Sequence, residues 1–145
     1  MNLTPTYDDV NLILRLYELR REPKMREARA WFISSYKPQT IEEHQALCPP
    51  GSENNAYYRM VTSYWDMVAG FVSSGVLHRE LFFKSGRELL FVWIRIEPLV
   101  PKWREMMKSP LVVAEIEEVA QSYIQYLNTQ GPQLYETFKK MVRGV

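Results

Sequence analysis

The residues best suited to chemistry are five side chains near the middle of the chain that place charges beside large aromatic rings. Asp66 follows Trp65 in one apolar stretch, and Arg95 lies two residues after Trp93 in another, with Arg104 beyond it. Charges on apolar helix faces must pair, reach water or contact a ligand, because burial of an isolated charge is costly. These residues therefore predict either a packed core or a pocket for a small amphipathic or anionic ligand, with Arg95 or Arg104 facing the anion.

A salt bridge would explain the same charges without a ligand. Asp66 to Arg104 is the leading pair, with Arg87 and Arg95 as competing partners for the carboxylate. A separation beyond hydrogen-bond reach from all three arginines would exclude this hypothesis.

Metal ligands and nucleophiles are sparse. His44 and Cys48 are four residues apart and could share a helix face, but two prolines follow at once and no partner pair appears at zinc-like spacing. No serine lies in a nucleophile-elbow pattern, and no Gly-rich loop precedes a helix. We predict no catalytic residue, metal or cofactor; an enzyme would need an open cleft that joins Asp66, Glu97 and His78.

The charge balance disfavours two large classes of partner. Eighteen Lys and Arg side chains oppose seventeen Asp and Glu, which leaves a formal net charge of +1. That charge provides no general field to hold nucleic acid or an anionic bilayer. The basic residues between positions 15 and 29 interleave with acidic ones, a pattern typical of a solvated, ion-paired helix face.

Hydropathy and cysteine usage bear on the cell compartment. The most apolar run, 89–94, has six residues, whereas a spanning helix needs about twenty. Cys48 is the single cysteine and cannot form an internal disulfide, and no succession of basic, apolar and small residues marks a secretory signal. We therefore expect a cytoplasmic protein without a membrane span.

Apolar side chains repeat at helical spacing along most of the chain, which predicts an all-α fold. The 145 residues, 46% of them hydrophobic and 24% charged, are typical of one globular domain, 1–145. We predict an irregular bundle of five to seven helices, with a long Pro-containing connection at 36–52 that holds one or two helical turns. Caps and breakers place the helical segments at about 6–21, 23–33, 52–74, 77–84, 89–103, 109–130 and 134–144.

Three points within these segments depend on local signals. Pro23 either begins a second helix or kinks the first. Residues 89–94 could form a buried strand, but helical spacing that continues to Trp103 favours a helix, and Pro98 predicts a kink near residues 95–97. Ser109 followed by Pro110 predicts the start of the next helix, in the favoured order of cap and then proline.

Residues 61–104 resemble a family of uncharacterised bacterial helical proteins, a domain of unknown function. The recurring features are an acidic residue on an apolar helix, a Gly-terminated turn and a later Trp, Pro and Arg, here Asp66, Gly75, Trp93, Pro98 and Arg104. The basic segment 20–31 is similar too. The resemblance implies an all-helical fold and brings no activity. Many relatives carry a membrane-spanning helix before the domain, and none is predicted in this sequence.

The leading functional hypothesis is a non-enzymatic interaction or scaffolding module of unknown partner. Broad apolar stripes around the central helix pair, 57–72 and 89–103, favour burial against another protein or a second copy of the chain. The alternative is a domain that binds a small amphipathic or anionic ligand in the aromatic pocket.

Overall fold

A computed structural model describes residues 4–144, in which nine α-helices and one 3-10 turn occur and no strand. The turn, Glu97–Leu99, joins the helices Arg87–Ile96 and Val100–Met107 without a break, so residues 4–144 contain eight separate helical segments. The all-α prediction is confirmed, but five to seven helices was too few, because the segment Ile41–Leu47, expected as one or two turns within a long connection, forms a helix of its own. None of the described helices is both long and apolar enough to cross a bilayer. The helices are α1 (Tyr7–Arg20), α2 (Pro23–Ser35), α3 (Ile41–Leu47), α4 (Glu53–Ser73), α5 (Arg79–Phe83), α6 (Arg87–Ile96), α7 (Val100–Met107), α8 (Ala114–Gln130) and α9 (Leu134–Arg143).

α4, α6 and α8 form the centre of the bundle. α4 packs mainly against α2 and α8, and α6 packs against α8, α9 and α4. Seven of the ten residues of α6 are buried, and a helix covered on nearly all sides has a continuous apolar sequence. That burial explains why residues 89–94 resemble a strand in sequence although they form a helix.

The proline kink lies close to its predicted place. α6 ends at Ile96, and the 3-10 turn Glu97–Leu99 contains Pro98, which has no backbone N–H to donate. Pro101 then occupies the first turn of α7, where a missing donor is tolerated.

The predicted start of α8 at Ser109 and Pro110 is wrong, because the helix begins at Ala114. Val113 precedes it with φ of 46°, in the left-handed region that β-branched residues rarely adopt. The Ser109 hydroxyl instead accepts a hydrogen bond from the Leu111 N–H at 3.1 Å and so stabilises a local turn. Tertiary contacts therefore set where α8 begins.

The connection at 36–52 contains α3, two turns long, as predicted. The Thr40 hydroxyl caps α3 by accepting from the Glu43 N–H at 3.1 Å. Tyr36, Ile41 and Cys48 are buried, so this segment contributes side chains to the core.

Two glycines give a matched test of the packing. In Gly86→Ala the new Cβ would overlap the buried ring of Phe82, so we expect a loss of about 2 kcal/mol in the free energy of unfolding. Gly70 lies inside α4 with no atom within 4 Å of an added Cβ, so Gly70→Ala should gain about 0.5 kcal/mol. Urea unfolding followed by circular dichroism measures both; equal effects of the two substitutions would contradict the packing described here.

Candidate functional site

Arg95 lies in the core and binds the carboxyl ends of two helices. It is only 7% exposed and has no carboxylate partner among the described residues. Its Nε donates to the carbonyl of Val142 at 3.1 Å, near the end of α9. Nη1 donates to the carbonyls of Phe32 at 3.1 Å and Tyr36 at 2.8 Å, and Nη2 donates to that of Ile33 at 3.1 Å, all at the end of α2.

This arrangement accounts for a buried cation without a counterion. The last carbonyls of a helix have no partner within it and carry its negative partial charge. Burial lowers the pKa of Arg95, yet four carbonyl oxygens and the ring of Phe91, whose centroid lies 4.4 Å from the guanidinium carbon, surround its charge. Four of the five guanidinium N–H donors are thereby used. Arg95 was predicted to face an anion, and the structure gives it carbonyl partners instead.

The two tryptophans predicted to line a pocket are packed into the core. Trp65 and Trp93 are each 2% exposed. The Trp65 Nε1 donates to Glu88 at 3.1 Å, and the same carboxylate binds Arg29 through two contacts of 2.8 Å. The cavity beside Trp65 measures about 10 Å³, the space of about one water molecule. That space beside Trp65 is too small for a ligand.

The proposed pairing of Asp66 with an arginine is not observed. Asp66 accepts a hydrogen bond from the Ile116 N–H at 3.4 Å, in the first turn of α8, and makes no ion pair with a described residue. Val113, the residue that precedes α8, has no side-chain oxygen to cap the helix. The Asp66 carboxylate therefore accepts from one of the N–H groups that have no partner within α8. Burial raises the pKa of Asp66, which that hydrogen bond partly opposes.

Arg104 has partners of its own. Its Nη2 lies 3.0 Å from Glu117, and its Nε donates to the carbonyl of Val112 at 3.2 Å. The guanidinium thus links α7 to α8 across the turn between them. The five predicted site residues, Trp65, Asp66, Trp93, Arg95 and Arg104, make separate structural contacts and do not converge on one ligand.

Three residues named for a possible enzyme are also engaged separately. Glu97 binds Arg143 at 2.8 Å, Asp66 faces the start of α8, and His78 caps α5 by accepting from the Leu81 N–H at 3.1 Å. Because these contacts lie on different elements, none of them indicates a cleft that the three residues share.

The polar groups around His44 are enclosed by aromatic rings. Its Nδ1 lies 2.9 Å from the Tyr36 hydroxyl, and its ring centroid lies 4.6 Å from that of Tyr58 and 5.3 Å from that of Trp103. Burial lowers the pKa of His44 and raises the pKa of Cys48 to about 11. A thiol with that pKa is a poor nucleophile at neutral pH. Residues 4–144 contain no group of three His, Cys, Asp or Glu side chains that could hold a metal.

Sequence spacing did not show which apolar residues of α1 face outward, and in the structure four of them form a stripe on its outer face. The exposed fractions are 87% for Tyr7, 40% for Val10, 54% for Leu14 and 48% for Tyr17. The helical repeat predicted α1, but the apolar residues of this helix fall on two faces. A second stripe within residues 7–20, which includes Leu16, packs into the core. The sequence therefore contains more apolar residues than one buried face requires.

Sequence comparison places the chain in a family. A protein-family model described as a domain of unknown function, DUF4760, matches residues 5–123, so the chain belongs to this family. The match includes the segment 61–104 and extends well beyond it on both sides. No curated protein and no solved structure matches the chain.

Replacing Arg95 should test its role directly. Arg95→Lys keeps the charge but cannot reach all four carbonyls, so we expect the free energy of unfolding to fall by about 3 kcal/mol. Arg104→Lys is the matched control, since its partly exposed ion pair should contribute about 1 kcal/mol or less. Urea denaturation of both variants measures the difference. An Arg95→Lys loss no larger than that of the control would mean that the four carbonyl contacts do not stabilise the fold.

Proposed function

We propose that this DUF4760 protein is a non-enzymatic helical interaction module, and that its docking surface is the outer face of α1. The single observation that carries the proposal is the apolar stripe of Tyr7, Val10, Leu14 and Tyr17, each at least 40% exposed. These residues are spaced by three, four and three, the repeat by which one helix packs along another. Apolar stripes of this kind are buried in coiled coils and at helical interfaces.

The inner side of α1 holds this surface in place. The buried carboxylate of Asp9 accepts from the Thr6 N–H at 2.7 Å and from the His78 N–H at 2.8 Å, which joins the starts of α1 and α5. The backbone N–H of Thr6, and to a smaller extent that of His78, holds the pKa of Asp9 below its ordinary value. Farther along, the Tyr64 hydroxyl donates to the Leu16 carbonyl at 2.6 Å. A stripe on a fixed helix loses little conformational freedom on docking.

The spacing of the stripe favours a second copy of the chain as the occupant. Its steps of three, four and three residues are symmetric about position 12. In an antiparallel pair of α1 helices, Tyr7 would therefore meet Tyr17 of the other copy, and Val10 would meet Leu14.

The expected dimer is weak. The 14 residues of α1 span about 21 Å. Two such helices bury less than the ~1,200 to 2,000 Å² of a typical stable complex, so we expect a dissociation constant on the order of 10 to 100 μM. Such an affinity suits a protein that assembles at high local concentration.

The cellular setting is also part of the proposal. A reducing, bacterial cytoplasm is supported by the resemblance described above and by Cys48, the single cysteine, whose buried thiol has no partner for a disulfide within the chain.

Sedimentation equilibrium over a concentration series tests the surface. Leu14→Glu places a charge at the centre of the stripe and should weaken dimerisation by at least about tenfold. Leu111→Glu makes the same change at another exposed leucine outside α1 and should alter the dissociation constant by less than about twofold. Circular dichroism confirms that both variants are folded.

A wild-type protein that stays monomeric up to about 1 mM, far above the expected dissociation constant, would contradict self-association through α1. A dimer insensitive to Leu14→Glu would place the interface elsewhere.

A further inference from the structure

A groove of about 570 Å³ runs along α9 and is separate from both α1 and the tryptophan core. One wall is the face of α9 that carries Leu134, Phe138 and Met141, and the start of α6 contributes Arg87. The turn between α8 and α9 closes one end. The volume lies within the roughly 300 to 1,000 Å³ of small-molecule sites.

The wall formed by α9 has apolar side chains that the fold leaves uncovered. Tyr135 and Val142 anchor the adjacent side of α9 in the core. Leu134 and Met141 remain 42% and 73% exposed, and Phe138 is half-buried between them. These three residues follow one another at helical spacing over two turns, so they form a continuous apolar strip.

Arg87 is the only charged residue among those that line the groove. Its guanidinium carbon lies 5.4 Å from the centroid of the Phe138 ring. It makes no ion pair with a described residue. Arg87 is also the first residue of α6, where the unpaired N–H groups add positive partial charge.

We infer that this groove binds a free single-chain amphiphile that bears one carboxylate. Arg87 holds the carboxylate through charge-assisted hydrogen bonds, and the apolar chain lies along Leu134, Phe138 and Met141. An uncharged chain would gain only the apolar contacts, and a cationic one would be repelled by Arg87. The inference concerns a different surface from α1 and stands independently of self-association.

Isothermal titration calorimetry with decanoate below its micelle concentration tests the site. Decanoate should bind at least about tenfold more tightly than decanol, and decyltrimethylammonium should bind more weakly than either. Arg87→Gln should remove the preference for decanoate over decanol. The matched control Arg26→Gln deletes an exposed charge on α2 and should leave decanoate affinity within about twofold.

A second variant tests the place of the apolar chain. Thr137→Trp fills the groove from an exposed position of α9 and should reduce the binding of both decanoate and decanol by at least about tenfold. Equal binding of the three probes to the wild type would overturn the inference, as would decanoate binding that neither Arg87→Gln nor Thr137→Trp reduces. Association with phosphatidylglycerol vesicles without binding of free decanoate would overturn it in favour of a lipid surface.

Discussion

The fold depends on one buried cation that has carbonyl oxygens for partners. Arg95 extends from α6 to the carboxyl ends of α2 and α9, so one side chain links an early helix, the central helix and the last helix. A planar guanidinium suits this task because its donors diverge in fixed directions, which a lysine cannot reproduce. Once its donors are taken by backbone oxygens, Arg95 has little left to offer a ligand. These backbone contacts therefore explain why an arginine predicted to face an anion is buried in the core.

Local signals predicted most of the helices because caps and breakers act over a few residues. Pro23 begins α2, Ser52 caps α4 through the Asn55 N–H, and Gly75 takes the left-handed conformation just beyond α4. The start of α8 could not be predicted this way. The carboxylate that serves it, Asp66, lies 50 residues earlier on α4, and no local pattern reveals such a contact.

Burial explains why the candidate site was harder to predict than the fold. Sequence spacing shows that Trp65 and Trp93 each lie on the apolar face of a helix. It does not show whether neighbouring side chains fill the space beside their rings. α1 presents the opposite case, since its apolar residues exceed what one buried face needs, and Leu14 is left exposed. The rings of Trp65 and Trp93 are packed in the core, so the two surfaces that we propose for function, the outer face of α1 and the groove beside α9, lie outside it.

Hydrogen exchange of arginine side chains, measured by ¹⁵N NMR on the wild-type protein, tests the central claim most directly. The Nε–H of Arg95 donates to the Val142 carbonyl and is closed off from solvent, whereas the side chain of Arg26 is exposed. The Arg95 Nε–H should therefore exchange at least about a hundredfold more slowly than that of Arg26. Exchange at the same rate would mean that Arg95 does not hold the ends of α2 and α9 together.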